Sequence, residues 1–294
     1  MGPLFGAVLA RALDAWWEEL GRPDPFVVVE AGAGPGALAR AVLAAAPDCA
    51  SALRYVLVER SPTLRKSLEA TMPMVTVLPE LPAQHFAGVV VANELLDNLA
   101  FLVVERRGEG WDEIRVGEDG GRLVEIAFPA APDLAAEAAT LAPNAARGAR
   151  IPVQHQAATW VRQALGLIDR GRLVVFDYAR PTTVLASLPW REWLRTYRGH
   201  ERAADPLADP GQRDITCDVA IDQLPAPSSV RTQADFLAAY GVDELVAEGK
   251  AIWQERAAIG DLAAVRARSR ISEAEALTDR AGLGGYSVAE WVVG

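Results

Sequence analysis

The 294-residue chain is 51% hydrophobic and 23% charged, the balance of a folded globular protein, which argues against disorder. Its net charge of −10 argues against non-specific binding to nucleic acid, which needs a Lys/Arg surplus on some face. No apolar run approaches the roughly 18–20 residues that span a bilayer, and Cys49 and Cys217 are too few and too far apart for a disulfide framework or a zinc site. They read as two reduced structural thiols of a cytoplasmic protein.

Leu4, Val8, Leu9, Ala12, Leu13 and Trp16 recur at helical spacing, with Arg11 and Asp14 among them, which predicts an amphipathic helix and not a signal peptide. Strands are predicted at 26–30, 54–59, 74–78 and 88–92. Helices are predicted over 37–46 and from the Ser61-Pro62 start to residue 70. Strands joined by short helical crossovers imply a mostly parallel sheet with helices on both faces. From Phe101, "FLVVERR", "WDEIRV" and "RLVEIAF" alternate with Gly-containing turns and predict an antiparallel meander over about 101–128. Helices are expected at 133–141 and 154–169, and "GRLVVFDYA" (171–179) reads as a fifth buried strand. Beyond Pro181 the pattern turns to helices and long polar connections. Thr232 and Asp235 have capping-box spacing with Gly241 as the stop, and Ser272 and Glu275 repeat that spacing. "GLGGYSVAEWVV" turns into a last strand. The expected division is an α/β core of residues 1–180 and 284–294, with a mostly helical, substrate-side insertion at 181–283.

The loop Gly32-x-Gly34-x-Gly36 joins the first strand to its helix, at the carboxyl end of the sheet where open α/β folds bind ligands. Glycines there permit a tight turn and close approach of a ligand to the backbone. Glu59 ends the next strand, where a carboxylate accepts hydrogen bonds from ribose hydroxyls. Read as G-x-G-x-x-A (Gly32, Gly34, Ala37), the loop fits a dinucleotide with its pyrophosphate on the helix N-terminus. Read as E-x-G-x-G-x-G from Glu30 to Gly36, it fits S-adenosyl-L-methionine, with Glu30 beneath the methionine ammonium. An acid two residues before the first glycine is unwelcome near a pyrophosphate, so the second reading is favoured. The plainer role for Glu30 is a strand-end carboxylate capping loop amides.

"VVVANELLDNLAF" (89–101) places Asn93, Glu94 and Asp97 just past the fourth strand. Glu94 and Asp97 are three apart and on a helical turn would share a face. Paired carboxylates suit a cationic acceptor, and a guanidinium can be held by paired N–H···O bonds. The plainer alternative is cofactor binding or helix capping. In residues 194–222, Arg195, Arg198, His200 and Arg202 mix with Asp205, Asp209, Asp214 and Asp218, which reads as an irregular, solvated loop and a poor metal site. His85 and His155 are isolated and read as surface or structural residues.

"FGAVLARAL", "VVEAGAGPGALA", "YVLVERSPTLR", "VVVANELLDNLAF", "GRLVVFDYA" and "RTYRGH…DP…PG…DIT", in that order, resemble the MidA family, bacterial relatives of the mitochondrial complex I assembly-factor arginine methyltransferase. The resemblance runs from Phe5 to about Val219. It implies a Rossmann-like class I methyltransferase fold and an S-adenosyl-L-methionine pocket at Glu30, Gly32, Gly34, Gly36 and Glu59. It further implies a substrate pocket formed partly by Asn93, Glu94 and Asp97, with a protein bearing an accessible arginine as the first candidate acceptor. Family members carry a stretch before the FG-x-x-L-A helix with a Ser-Pro-Glu segment in the cofactor pocket, where this sequence begins at "MGPLFGA", and a proline where this chain has Ala100. The rival expectations are a small-molecule methyltransferase and an assembly or interaction protein that binds cofactor poorly. Glu30, and the absence of a hydride-site His or Tyr/Lys arrangement, disfavour an NAD-dependent oxidoreductase. No metal, nucleic acid or membrane span is expected, the location is cytoplasmic, and a homo-oligomer is compatible with the reading.

Overall fold

The computed structural model describes residues 2–294 apart from His200, Ala204 and Gly260. Helix α1 (Pro3–Glu19) buries the stripe that predicts it, and Pro3 opens its first turn. Strand β1 (Phe26–Ala31) leads through the glycine loop into α2 (Ala37–Ala44), followed by β2 (Leu53–Val58), α3 (Pro62–Thr71), β3 (Thr76–Leu78) and β4 (Phe86–Asn93). The Ser61 hydroxyl accepts the Leu64 N–H, the N-cap its position predicts. The meander is β5 (Leu102–Arg107), β6 (Gly110–Asp119) and β7 (Arg122–Pro129), and α4 (Pro132–Leu141), β8 (Arg150–Val153), α5 (His155–Gly166) and β9 (Ile168–Asp177) come next. The chain continues through β10 (Ala179–Arg180), α6 (Thr182–Ser187), α7 (Trp190–Trp193), β11 (Leu194–Arg198), β12 (Glu201–Ala203), β13 (Asp214–Cys217) and β14 (Val219–Ala220). It closes with β15 (Ser229–Thr232), α8 (Gln233–Ala239), α9 (Val242–Arg256), α10 (Leu262–Thr278) and β16 (Ser287–Val293).

Two compact units result. The first joins Met1–Asn93, Gln163–Phe176 and Pro227–Gly294. Its seven-stranded sheet has the order β15-β16-β9-β4-β1-β2-β3. The five strands from β9 to β3 are parallel, as the alternation of strands and helices predicts, and β15 runs antiparallel to β16. Phe5, Leu9 and Trp16 of α1 share one core with Val28, Leu57, Val89, Val91 and Phe176 of the sheet. Burying each side chain of this size stabilises by roughly 1.5–3 kcal/mol.

The expected insertion at 181–283 is corrected here, because its second half belongs to this unit. Phe236, Leu237, Val242, Leu245 and Leu277 join the same core. The Phe236 ring stands 4.9 Å from that of Phe176, and Trp16 Nε1 donates to Tyr240 Oη at 2.8 Å. The apolar faces of these helices need cover, and α1 and the sheet supply it. Thr232 caps α8 as its spacing predicts. Ser272 caps nothing: it lies inside α10, which starts upstream where Asp261 Oδ1 accepts the Ala264 N–H at 3.0 Å.

The second unit joins Glu94–Arg162 and Asp177–Ala226. The meander forms here, extended at its far side by β8 to give an antiparallel sheet of order β7-β6-β5-β8. Its core is Val104, Trp111, Ile151 and Val153 with Ala138 and Ala142. Within the segment expected to be an irregular solvated loop, three short strands pair as the antiparallel sheet β12-β11-β13, while residues 205–213 carry no strand or helix. Thr196, Tyr197, Ile215 and Thr216 have the branched and aromatic side chains that favour extended pairing, and this outweighs the charge density. Among the described residues, no helix is long and apolar enough to cross a membrane, and no group of three or more His, Cys, Asp or Glu is arranged to hold a metal.

Candidate functional site

In the first unit, Gly32, Gly34 and Gly36 hold φ values of 75°, 53° and 75°, a region that costs other residues steric strain. No heavy atom lies within 4 Å of where a Gly34 Cβ would stand, so this backbone is bare towards open space. A Cβ on Gly36 would meet Leu68 Cδ2 at 2.6 Å, so that glycine also lets α2 close on α3. Glu59 fixes the loop: its Oε2 accepts the Gly34 N–H at 2.9 Å and its Oε1 the Ser61 N–H at 2.7 Å. A carboxylate has about four lone-pair sites, so Glu59 keeps acceptor capacity for a ribose hydroxyl.

Glu30 is only 3% exposed, and its Oε2 accepts the Tyr55 hydroxyl at 2.8 Å. Burial pushes its carboxyl up to about 7, while the bonds from Tyr55 and the Ala39 backbone pull the other way. Bare backbone at Gly34 beside acceptors at Glu59 and Glu30 fits S-adenosyl-L-methionine: a close-approach loop, a ribose acceptor and an anion for an ammonium. The bond from Ala39, in the first turn of α2, also gives Glu30 the capping role.

The residues expected past the fourth strand fall in both units. Asn93 ends β4 in the first unit, and its Oδ1 is buried without a hydrogen-bond partner. Glu94 begins the second unit, exposed, with φ at 50°, a left-handed conformation that is strained for a side chain of this size. The helical turn starts only at Leu96, so Glu94 and Asp97 do not share a helical face. Asp97 is instead 2% exposed. Burial pushes its carboxyl up to about 7, and Glu94 adds to the rise.

Asp97 belongs to a buried acidic centre in the second unit. Asp177 Oδ2 accepts the Leu96 N–H at 2.9 Å and the Asp97 N–H at 3.3 Å, and its Oδ1 accepts the Tyr178 N–H at 2.9 Å. Burial, and then the charge of Asp97, holds the Asp177 carboxyl well above the usual range. Asp218, also buried, receives Arg195 Nη2 on Oδ1 at 2.5 Å and lies 3.5 Å from Arg180 Nε. The Arg195 guanidinium lies over the Tyr178 ring, 4.4 Å from its centroid. Burial raises the Asp218 carboxyl despite both arginines. Gln154 sets the chain there, its Nε2 donating to Asp218 O at 3.1 Å and its Oε1 accepting from Ala220 N at 2.6 Å.

Asp177 carries the sign that marks Asn93, a polar residue straight after four apolar ones, but it lies inside the run 171–179 that reads as a buried strand, whereas the strand ends at Asp177 itself. The Arg195–Asp218 pair spans 23 positions and is invisible until β11 pairs with β13. His85 and His155 are exposed, beside Asp169 at 3.4 Å and Glu137 at 2.8 Å. His200 lies outside the described residues. Cys49 and Cys217 are buried and free.

Residues 8–237 match the profile of a family described as S-adenosyl-L-methionine-dependent methyltransferase. A crystal structure of an uncharacterized protein from Burkholderia thailandensis is 27% identical, with a TM-score of 0.81 over 99% of this chain and 79% of that one. A second, also from Burkholderia thailandensis and bound to S-adenosyl-homocysteine, is 28% identical with a TM-score of 0.80, over 99% of this chain and 77% of that one. The mitochondrial protein arginine methyltransferase NDUFAF7 homolog of Drosophila melanogaster is 24% identical over 254 residues, 74% of this chain and 55% of that protein. The chain thus spans about half the length of that curated relative.

Proposed function

Because the chain belongs to this MidA-like family of S-adenosyl-L-methionine-dependent methyltransferases, we propose that it methylates a guanidinium nitrogen of arginine in a protein substrate. The cofactor, when bound, supplies an electrophilic methyl group. Glu30, Gly34 and Glu59 of the first unit are its holders in this reading, and Asn93 offers a spare acceptor.

The observation that carries the arginine reading is the acidic centre of the second unit. Among the described residues, Glu94, Asp97, Asp177 and Asp218 face Arg180 and Arg195, with Arg202 adding a weaker influence on Asp218, so acids outnumber cations there and the centre suits a further cation. It already holds one guanidinium in the way such groups are held, with a carboxylate at 2.5 Å and an aromatic face beneath. Glu94 and Asp97 are then left for the acceptor. A guanidinium must shed a proton once its nitrogen carries the methyl group, and a carboxyl poised near 7 is matched to receive it at Asp97. Orientation of the guanidinium by paired hydrogen bonds supplies most of the remaining rate.

Two measurements test this. Calorimetric titration with S-adenosyl-homocysteine gives binding that Gly34→Val abolishes. Incubation of a cell lysate with labelled S-adenosyl-L-methionine labels protein arginine, seen by mass spectrometry, and Asp97→Asn lowers the rate about a hundredfold while cofactor binding persists. Label on small molecules alone overturns the protein-arginine assignment.

A further inference from the structure

The outer hairpin of the second unit is covered less than its length requires. Among the described residues, β7 is an edge strand with only β6 as neighbour, and it is exposed along nearly its whole length. The buried core of this sheet lies at the other end, around Val104, Trp111 and Ile151. Val124, Ile126 and Phe128 alternate onto one face, and Ile126 and Phe128 are 36% and 44% exposed. A two-stranded hairpin with open faces is marginal in water. Edge strands are ordinarily blunted by charge, proline or a bulge. In residues 123–128 the one charge is Glu125, and Arg150 holds it with both Nη atoms at 2.9 and 2.7 Å. Arg122 and Pro129 stand only at the ends of the strand.

We propose that β7 pairs antiparallel with β7 of a second copy of this chain, about a two-fold axis at Ile126 perpendicular to the sheet. The sequence "RLVEIAFP" is self-complementary about that residue. Ile126 faces its counterpart and Val124 faces Phe128 on either side, so one face of the joint is wholly apolar. Glu125 faces Ala127, so no like charges oppose. The neighbouring register centred on Glu125 sets two carboxylates opposite each other, and one centred between 125 and 126 splices the apolar face onto the charged one. The two four-stranded sheets become one of eight strands, the contact closes on itself, and both β7 edges are paired.

The test is sedimentation of the full chain at micromolar concentration, which gives twice the 31.5 kDa of one copy. Ile126→Lys sets two cations against each other at the axis and raises the dissociation constant by at least about tenfold. Ile126→Cys places two thiols across the axis, and mild oxidation converts it to a covalent dimer on a non-reducing gel. Val116→Cys is exposed on β6, off the axis, and gives none. The far-UV spectrum of each variant matches that of the parent chain, so the fold of each copy is intact. A monomeric parent chain overturns the proposal. So does a dimer that Ile126→Lys leaves intact, or equal cross-linking at 116 and 126.

Discussion

Glu30 and Asp97 are carboxyls that burial pushes up to about 7 from an ordinary value near 4. Between those values the folded chain keeps protons that the unfolded chain releases, so stability declines as pH rises from about 4 to about 7. The raised carboxyls of Asp177 and Asp218 act in the same direction. Glu30→Gln and Asp97→Asn each flatten that decline, which denaturant melts at a series of pH values will show. Glu30 has a second signature. An ammonium beneath it binds only its ionised form, so affinity for S-adenosyl-homocysteine rises as pH passes upward through about 7, by up to about tenfold per unit below it. In Glu30→Gln the calorimetric affinity is flat over the same range. An equal pH response in both proteins would leave Glu30 only its bonds to Tyr55 and Ala39.

At the scale of elements, β1, β4 and β9 meet where two of them have no side chain. Val27 pairs with Gly88, and Gly88 with Gly171. A Cβ on Gly88 would stand 1.9 Å from Val27 O, and one on Gly171 1.8 Å from Gly88 O. Gly88→Ala therefore forces strands apart and lowers stability by about 3 kcal/mol, read from the midpoint of chemical unfolding. The parallel sheet and the meander were legible because their apolar periods are clean and their turns carry glycine. The glycine loop was legible because strand, loop, helix and the acid at 59 are all local. The short pairings in 194–217 were not, because β13 reaches β11 only across the intervening residues and the segment's composition looks solvated. The shared face for Glu94 and Asp97 failed for a local reason: the turn begins two residues after Glu94, which is left-handed and exposed. The bond from the Asp97 N–H to Asp177 spans 80 residues, and no local rule contains it.

Across the whole molecule, both pieces of the second unit leave the chain where a parallel strand ends, one after Asn93 and one after Phe176. This is where open α/β folds accept additions without disturbing their hydrogen-bond ladders. The proposed cofactor holders and the acidic centre therefore fall in different units, and the expected ligand effects divide accordingly. S-adenosyl-homocysteine at about 100 times its dissociation constant stabilises the chain by about 2.7 kcal/mol. Hydrogen exchange then slows first at Gly34 and Ser61, whose amides Glu59 holds. An unchanged exchange pattern at those two amides would place the cofactor elsewhere. In the main sheet, β16 lies between β9 and β15 although it is made from residues 287–293, after every other strand. During synthesis the flank of β9 therefore stays open until that segment clears the ribosome tunnel. Nascent chains stalled before residue 287 carry an unfilled slot, and the cell's holding chaperones are the factors such intermediates recruit.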